Sequence, residues 1–385
     1  MENPRVERRF APTALMFGNI VTGCSVLAPA GMLSELSIGL GVSIRGAGLL
    51  ITFGAIVLCI GSPLTAWLTS RIERRTLLTT TLAVLALTNA ASAFAPDYAS
   101  LLVIRLIMLA VGALYTPQAA GTAGLIVSEE KRGSTIAYIF LGWSLAAAVG
   151  LPLITFIASR YGWRSVYGGI GTVSCFSFLL LAWRLPGGLI GAPVDLKTWA
   201  DVGRNRMIVL LLLITTLQMS GQFVVFTFMG PLLMKLTDAG PDAIGLVFAL
   251  YGVFGFIGIA VATRIVDSWG AYKTSLLFTV LMLTGVTGWA LSAGIYPLMA
   301  CSVAVWGLGF ASTNSMQQVR LVGAAPALAS ASVALNTSVL YIGQAVGSAI
   351  GGVLYARDLL YDAGYVATSF VALALMTVIL TKPRR

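Results

Sequence analysis

The chain contains no histidine, 14 acidic residues and 24 lysines or arginines in 385 positions. Without imidazole, the commonest metal ligand and neutral-pH proton shuttle are both absent. Charged residues make up only 10% of the sequence and apolar residues 58%. A soluble domain carries about 25% charged residues, so this chain cannot cover itself with polar surface and must have lipid as its main solvent. Cysteine is scarce too. Cys24, Cys59, Cys175 and Cys301 sit inside apolar runs without ligand spacing; they read as small buried hydrophobes, and no metal is expected. A G-x-x-x-x-G-K-[ST] phosphate loop is missing, which removes the ATP-driven pumps. No nucleophile–base set marks an enzyme, and no cofactor is expected. The net charge of +10 would suit a nucleic-acid partner. The basic residues are confined to short turns between apolar runs, where membrane topology accounts for them. The expected partner is therefore a lipid bilayer, not nucleic acid.

Uncharged runs of about 20 residues mark membrane spans, and twelve are present. Spans 1 to 3 lie near Ala11–Ser34, Gly46–Ser70 and Thr76–Ala95. Span 4 falls within Tyr98–Ser128, span 5 within Gly133–Ser159 and span 6 near Ser165–Trp183. Spans 7 and 8 fall within Met207–Met234 and Ala243–Val266. The uncharged stretch Thr274–Val319 is too long for one span and divides at the turn Ala293–Pro297 into spans 9 and 10. Span 11 starts after Pro326 and runs to about Ala356, and span 12 lies near Ala363–Thr381. The first run follows Arg5, Arg8 and Arg9, yet its length exceeds that of a signal peptide, so it reads as a retained helix. The domains expected are a six-helix bundle over 1–183, a cytoplasmic linker over 184–206 and a second bundle over 207–385. Both tails are short, so no appended soluble domain is expected, and a monomer is. With the N-terminus inside, 18 of the 24 basic residues fall on the inner side, five on the outer and Arg105 within span 4. That bias predicts two cytoplasmic termini in the cell inner membrane.

The halves are related. Gly61–Arg75, GSPLTAWLTSRIERR, runs from an apolar span into a cluster of Arg71, Arg74 and Arg75 around Glu73. A weaker copy, Gly258–Lys273, follows 197 positions later, aligning Gly48 with Gly245, Gly61 with Gly258, and Ser70 with Asp267. An internal repeat of half the chain is the signature of a two-bundle transporter fold.

Arg105 stands about 10 Å into span 4 at 1.5 Å per residue. A charge at that depth must snorkel outward or face the bundle interior, where it gates, couples or binds substrate. All fourteen acids lie in turns or at span ends, Glu35 being the nearest to a span. Proton coupling through a mid-depth carboxylate therefore has no obvious host. Uncharged polar and aromatic residues do occur at depth. Asn19 and Thr22 share a stripe of span 1; Tyr115 and Gln118 lie in span 4; Gln218, Gln222 and Phe226 share a face of span 7. Phe310, Asn314 and Gln317 share a face of span 10, and span 11 adds Asn336. These residues either bond helix to helix or line a neutral, amphipathic cavity. Gly142, Ala146, Gly150 and Pro152 in span 5, and Gly343, Gly347, Gly351 and Gly352 in span 11, form small-residue stripes. They read as close helix packing or as a seam on which one half slides against the other.

These residues together resemble the major facilitator superfamily over essentially the whole chain, and within it the drug/proton antiporters and arabinose-efflux-like exporters. AWLTSRIERRTLL is similar to that family's signature G-x-L-a-D-R-x-G-R-R. Arg71, Arg74 and Arg75 match, whereas the signature Asp falls on Ser70 and the second Gly on Glu73; the second copy keeps its acid as Asp267 and its glycine as Gly270. LLVIRLIMLAVGAL resembles the family's span 4 motif at Arg105 and Gly112. GWSLAAAVGLPL resembles its antiporter motif at Gly142, Gly150 and Pro152. Gly31–Ser43 is similar to the ending of the family's first helix, and by that alignment a Glu common in such exporters falls on Val26.

The resemblance implies two six-helix bundles, all α, moving by rocker-switch alternating access around a central substrate site. It implies a gate built on Ser70, Arg71, Glu73, Arg74, Arg75 and Asp267, with Glu129 and Glu130 as further electrostatic partners, and with Gly142, Gly150 and Pro152 as its span 5 component. The first functional expectation is export of a small amphipathic compound, drug or metabolite, by proton antiport, with Glu35 or Arg105 coupling the proton. The alternative is proton-independent uniport or exchange of a small organic anion with Arg105 as counter-ion. A membrane sensor on a transporter scaffold is the remaining reading.

Overall fold

The computed structural model describes residues 4–69, 71–127, 129–190, 201–325 and 328–382. Among the described residues there is no strand, and twelve helices are long and apolar enough to cross a membrane. They are Phe10–Gly31, Ile44–Ser62, Arg74–Ala93, Tyr98–Thr122, Tyr138–Tyr161 and Trp163–Arg184 as spans 1 to 6. Spans 7 to 12 are Arg206–Phe226, Pro241–Val266, Ser268–Leu291, Tyr296–Ala324, Leu335–Ala356 and Asp362–Leu380. An even number of crossings returns the chain to the side on which it began, called here the termini face. The opposite side is the far face.

Local chemistry sets the helix ends. Asp97 caps span 4 by accepting the Ser100 N–H at 2.8 Å, and Asn205 caps span 7 by accepting those of Met207 and Ile208. The Asp97 carboxyl is held below the usual range by these Ser100 bonds. Pro241 and Pro297 open spans 8 and 10, where a missing N–H costs nothing. Gly162 and Gly270, at φ of 80° and 78°, turn span 5 into span 6 and span 8 into span 9.

Several spans are interrupted. Span 1 passes at Met32 into a short helix, Leu33–Leu40, at its far-face end. Span 4 breaks at Ala113–Leu114, and span 7 breaks at Thr227–Phe228 before Met229–Thr237. Span 5 winds as a π-helix over Ala146–Gly150, just before Pro152, whose nitrogen has no hydrogen to donate back. Large apolar side chains remain on the outside: Leu87, Phe176, Leu373 and Met376 are all more than half exposed. A surface of that kind is stable only against lipid.

Span 3 packs on span 6 and span 1 on spans 5 and 6, while span 7 packs on spans 11 and 12 and spans 8 and 9 on span 10. The two groups touch where span 2 meets span 11 and where span 5 meets span 8. The Thr52 hydroxyl donates to Ser348 Oγ at 3.0 Å across the first contact. At the second, Gly252 lies so close that an added Cβ would sit 2.1 Å from the Ala148 Cα. Phe228 covers Gly48 and Gly352, and Arg160 and Asp242 approach to 4.0 Å at the far face. These contacts run from the far face to about mid-depth, so the halves are joined on that side.

Most of the small-residue stripes do not carry this seam; Gly352 is an exception, where an added Cβ would sit 3.4 Å from Arg45 of span 2. Gly142 lies against the Met16 carbonyl and Gly150 against Cys24, both in span 1 of the same half. Gly343, Gly347 and Gly351 lie against span 7 of their own half, at Thr216, Ser220 and Val224. The expected sliding seam on Gly142 and Gly150 is thus corrected: their spacing allows helices to approach inside each bundle. Of the three span 5 residues, Pro152 alone reaches toward the other half, beside Gly245.

Candidate functional site

Three polar clusters lie at depth. In the first half, Asn19 Nδ2 donates to the Ile139 carbonyl at 3.0 Å, and its Oδ1 accepts from Thr116 Oγ1 at 2.8 Å. Trp143 Nε1 donates to the same threonine oxygen at 3.0 Å. Trp143 is 14 residues into a helix that starts at Glu129, about 21 Å at 1.5 Å per residue. The cluster binds spans 1, 4 and 5 together.

In the second half, Gln222 Oε1 accepts from both Tyr251 Oη and Trp306 Nε1, each at 3.1 Å. Aromatic rings close around this amide. Tyr251 lies 4.9 Å from Phe226, 5.1 Å from Phe310 and 5.3 Å from Trp306, centroid to centroid. Tyr251 and Trp306 are each ten residues from the far-face ends of their helices, about 15 Å or half the hydrocarbon core. Nearer the termini face, Thr215 Oγ1 donates to Asn336 Oδ1 at 2.7 Å, and Asn336 Nδ2 donates to Asn314 Oδ1 at 3.1 Å.

The remaining expected cavity residues are placed elsewhere. Thr22 donates to the Gly18 carbonyl of its own helix. Tyr115 is fully buried over Gly18 and donates to the Leu15 carbonyl at 3.3 Å. Gln218 donates to Thr279 at 2.9 Å, and its Oε1 is buried without a hydrogen-bond partner. Gln118 accepts from Arg74, and Gln317 from Arg320. Only Phe310 and Asn314 of the set are partly exposed.

Every buried charge among the described residues is an arginine: Arg74, Arg105 and Arg320. Arg105 is 1% exposed. It does not snorkel. Nε, Nη1 and Nη2 donate to the carbonyls of Leu50, Ser25 and Val26 at 2.9, 3.0 and 2.8 Å. The guanidinium thus faces the backbones of spans 1 and 2 instead of a cavity, which corrects its expected role as a substrate counter-ion. Arg320, the first residue after the uncharged stretch Thr274–Val319, lies inside span 10 and not in the turn beyond it. It donates to Gln317 at 3.2 Å, to Ser275 at 3.4 Å and to Thr381 Oγ1 at 2.6 Å, fastening spans 9, 10 and 12.

The basic turn also serves its own half. Glu73 accepts the Thr76 hydroxyl at 2.7 Å and the Gly188 N–H at 2.5 Å, which hold its carboxyl below the usual range. The Arg74 N–H donates to the Leu189 carbonyl at 2.8 Å, and Arg75 donates to Ala182. The turn therefore grips the chain leaving span 6, and Arg71 is exposed. Ser70 and the side chains of Glu129, Glu130 and Asp267 lie outside the described residues.

Glu35 sits at the far face between the halves. It shares a cavity of about 20 Å³ with Gly31, Ser34 and Thr155 on one side and Gly230, Pro231 and Pro241 on the other. That volume admits about one water. No other residue lining it is ionisable. Burial pushes the Glu35 carboxyl above its ordinary range.

The sequence model of the Major Facilitator Superfamily matches residues 15–348 and 211–385. This chain belongs to the major facilitator superfamily. It is a multi-pass membrane transporter, not an enzyme. It is 30% identical over 374 residues to "Inner membrane transport protein YdhP" of Escherichia coli O157:H7, covering 96% of this chain and 95% of that one. It is 25% identical over 382 residues to "Probable sugar efflux transporter" of Mannheimia succiniciproducens, covering 96% and 93%. Its fold is similar to that of a bacterial homolog of the human lysosomal transporter Spinster in an inward-facing, unoccupied conformation, with a TM-score of 0.75 at 13% identity over 97% of both chains. A point mutant of the nucleoside transporter NupG gives a TM-score of 0.74 at 12% identity over 97% of this chain and all of that one.

Within this superfamily member, Thr116, Trp143, Tyr251, Trp306 and Arg320 take part in these clusters without standing out in the sequence. One signal was present: Trp306 precedes Phe310 by four residues and so shares its helical face. Tyr251 carried none, because its partners lie on spans 7 and 10.

Proposed function

We propose that this transporter exports a small, neutral, amphipathic or polyhydroxylated compound across the cell inner membrane by alternating access, with both termini cytoplasmic. The halves 1–183 and 207–385 move as units about the linker 184–206. The observation that carries this reading is the Gln222 hub. In this state the amide is buried, its oxygen is held by Tyr251 and Trp306, and Phe310 is the one ring of the hub that is partly exposed, so what it supports is a neutral, aromatic lining without charge. A drug cation finds no carboxylate at mid-depth among the described residues, and the three fully buried charges there are positive. The name of the Mannheimia succiniciproducens relative supports a sugar-like substrate.

Proton antiport rests on Glu35. In the closed far face its carboxyl is desolvated, so closure favours the protonated form. Opening that face would hydrate the group and release the proton outward on one side of the cycle. The test is flux in proteoliposomes that hold a pH-sensitive dye, with labelled sugars, nucleosides, lipophilic cations and small organic anions as substrates. Flux of neutral sugars or nucleosides with opposed proton movement is the expected result. Flux of organic anions alone, without proton movement, would replace this reading with anion exchange.

A further inference from the structure

At the far face, where spans 5 and 8 meet, the surface is not closed. Pro152 and Phe156 of span 5 and Gly245, Leu246 and Ala249 of span 8 line an apolar crevice of about 260 Å³. It opens outward, with Phe156 45% and Leu246 52% exposed. An added Cβ on Gly245 would meet only the Pro152 carbonyl, at 3.9 Å, so the floor of the crevice is free. A cation and an anion stand at its mouth: the Arg160 guanidinium, 5.4 Å from the Phe156 ring, and the Asp242 carboxylate, 4.0 Å from Arg160. Both side chains are well over half exposed. At that distance and exposure the pair is a weak fastening between the halves. It is well placed for something else, because both residues lie at the ends of spans, at the level of the lipid head groups.

We propose that this crevice binds one phospholipid of the far-face leaflet with a zwitterionic phosphoethanolamine head group. An acyl chain fills the slot between Phe156 and Leu246. The phosphate lies on Arg160, and the primary ammonium donates to Asp242. The two charges of the mouth thus meet two opposite charges of one head group. A lipid with a phosphate alone would leave Asp242 facing an anion, and a quaternary choline could not donate a hydrogen bond to it.

The experiment uses the full-length protein, delipidated in detergent and titrated with phosphatidylethanolamine, phosphatidylcholine and phosphatidylglycerol of matched acyl chains. Retained lipid is counted by native mass spectrometry. One copy of phosphatidylethanolamine is expected to be held in preference to the other two. Asp242→Asn should reduce its retention to the level of phosphatidylcholine, and Arg160→Gln should lose the bound copy. Gly245→Leu should also lose it, by filling the slot from an open floor; an unchanged melting temperature separates that loss from misfolding, and the two surface variants stand independently of it. Equal retention of all three lipids would overturn the proposal in favour of ordinary annular lipid. Preference for phosphatidylglycerol would overturn it in favour of an anion held by Arg160 alone. Retention unaffected by all three substitutions would place the lipid elsewhere.

Discussion

Gln222 accepts two aromatic donors with one oxygen, and that sharing makes it hard to replace. Gln222→Leu leaves the Tyr251 hydroxyl and the Trp306 N–H buried without an acceptor, at about 1–3 kcal/mol each. A lowered melting temperature in detergent and a raised KM for a neutral substrate are the expected outcomes. Adding Tyr251→Phe should return part of the stability, since it removes one orphaned donor. Glu35 makes a prediction about pH. Its carboxyl is raised in the closed far face, so closure is favoured while the group is protonated and that preference is lost as pH rises through the raised value. Accessibility of a cysteine introduced at Ser34, beside Glu35 in the far-face cavity, should therefore increase with pH, and Glu35→Gln should hold the face closed at all pH values. A pH response surviving that substitution would remove Glu35 from coupling. Arg105 stands out in the sequence as a lone charge in an apolar run, but its three carbonyl acceptors do not, because backbone carbonyls leave no mark in side-chain identity. Arg320 was hidden for a different reason. It lies four residues from the end of its helix, where a buried and a solvated arginine look alike, and its partners on spans 9 and 12 are remote in sequence.

Span 5 is the element on which the two halves press most closely. Its π-helix, Ala146–Gly150, brings the backbone of Ala148 against Gly252 of span 8. Gly252→Ala would place a methyl carbon 2.1 Å from the Ala148 Cα, and neither backbone can yield, so the spans must separate. The variant should fold, expose a cysteine introduced at Ser34 on the far face more readily and transport more slowly; labelling rates check this. Unchanged labelling would show that the seam lies elsewhere. The glycine stripes of spans 5 and 11 were legible as close-packing faces, since small residues four apart permit nothing else so well. Which neighbour they pack against was not legible, because spacing fixes a face and not its partner. The turn after span 2 shows the same limit. Its arginines and Glu73 are conspicuous, yet the grip of Glu73 on Gly188 depends on a backbone N–H 115 residues away.

For the whole molecule, hydropathy carried most of the fold. Runs free of charge located all twelve spans, with most ends within a few residues and those of spans 2, 9 and 11 further off, because each span must bury its own backbone polar groups in lipid. The breaks inside spans 4, 5 and 7 were not legible, since irregular backbone there is stabilised by neighbouring spans and not by local sequence. The mid-depth site was legible in residue type and only partly in place. Asn19, Gln222, Phe226, Phe310, Asn314 and Asn336 fall in the polar clusters, while Thr22, Tyr115, Gln118, Gln218 and Gln317 are tied into helix packing. The contacts joining the halves lie from the far face to mid-depth, a distribution expected of one end-state of a rocking cycle.

The central claim is that the halves exchange which face is joined. Two pairs of spin labels on a background lacking the four native cysteines test it most directly. One pair replaces Arg71 and Lys273 on the termini face, and the other Ile38 and Leu359 on the far face, all exposed positions. Distances are measured by double electron–electron resonance as pH is raised. The Arg71–Lys273 distance is expected to shorten as the Ile38–Leu359 distance lengthens, and Glu35→Gln to suppress both changes. Distances that stay fixed, or that lengthen together, would contradict the claim.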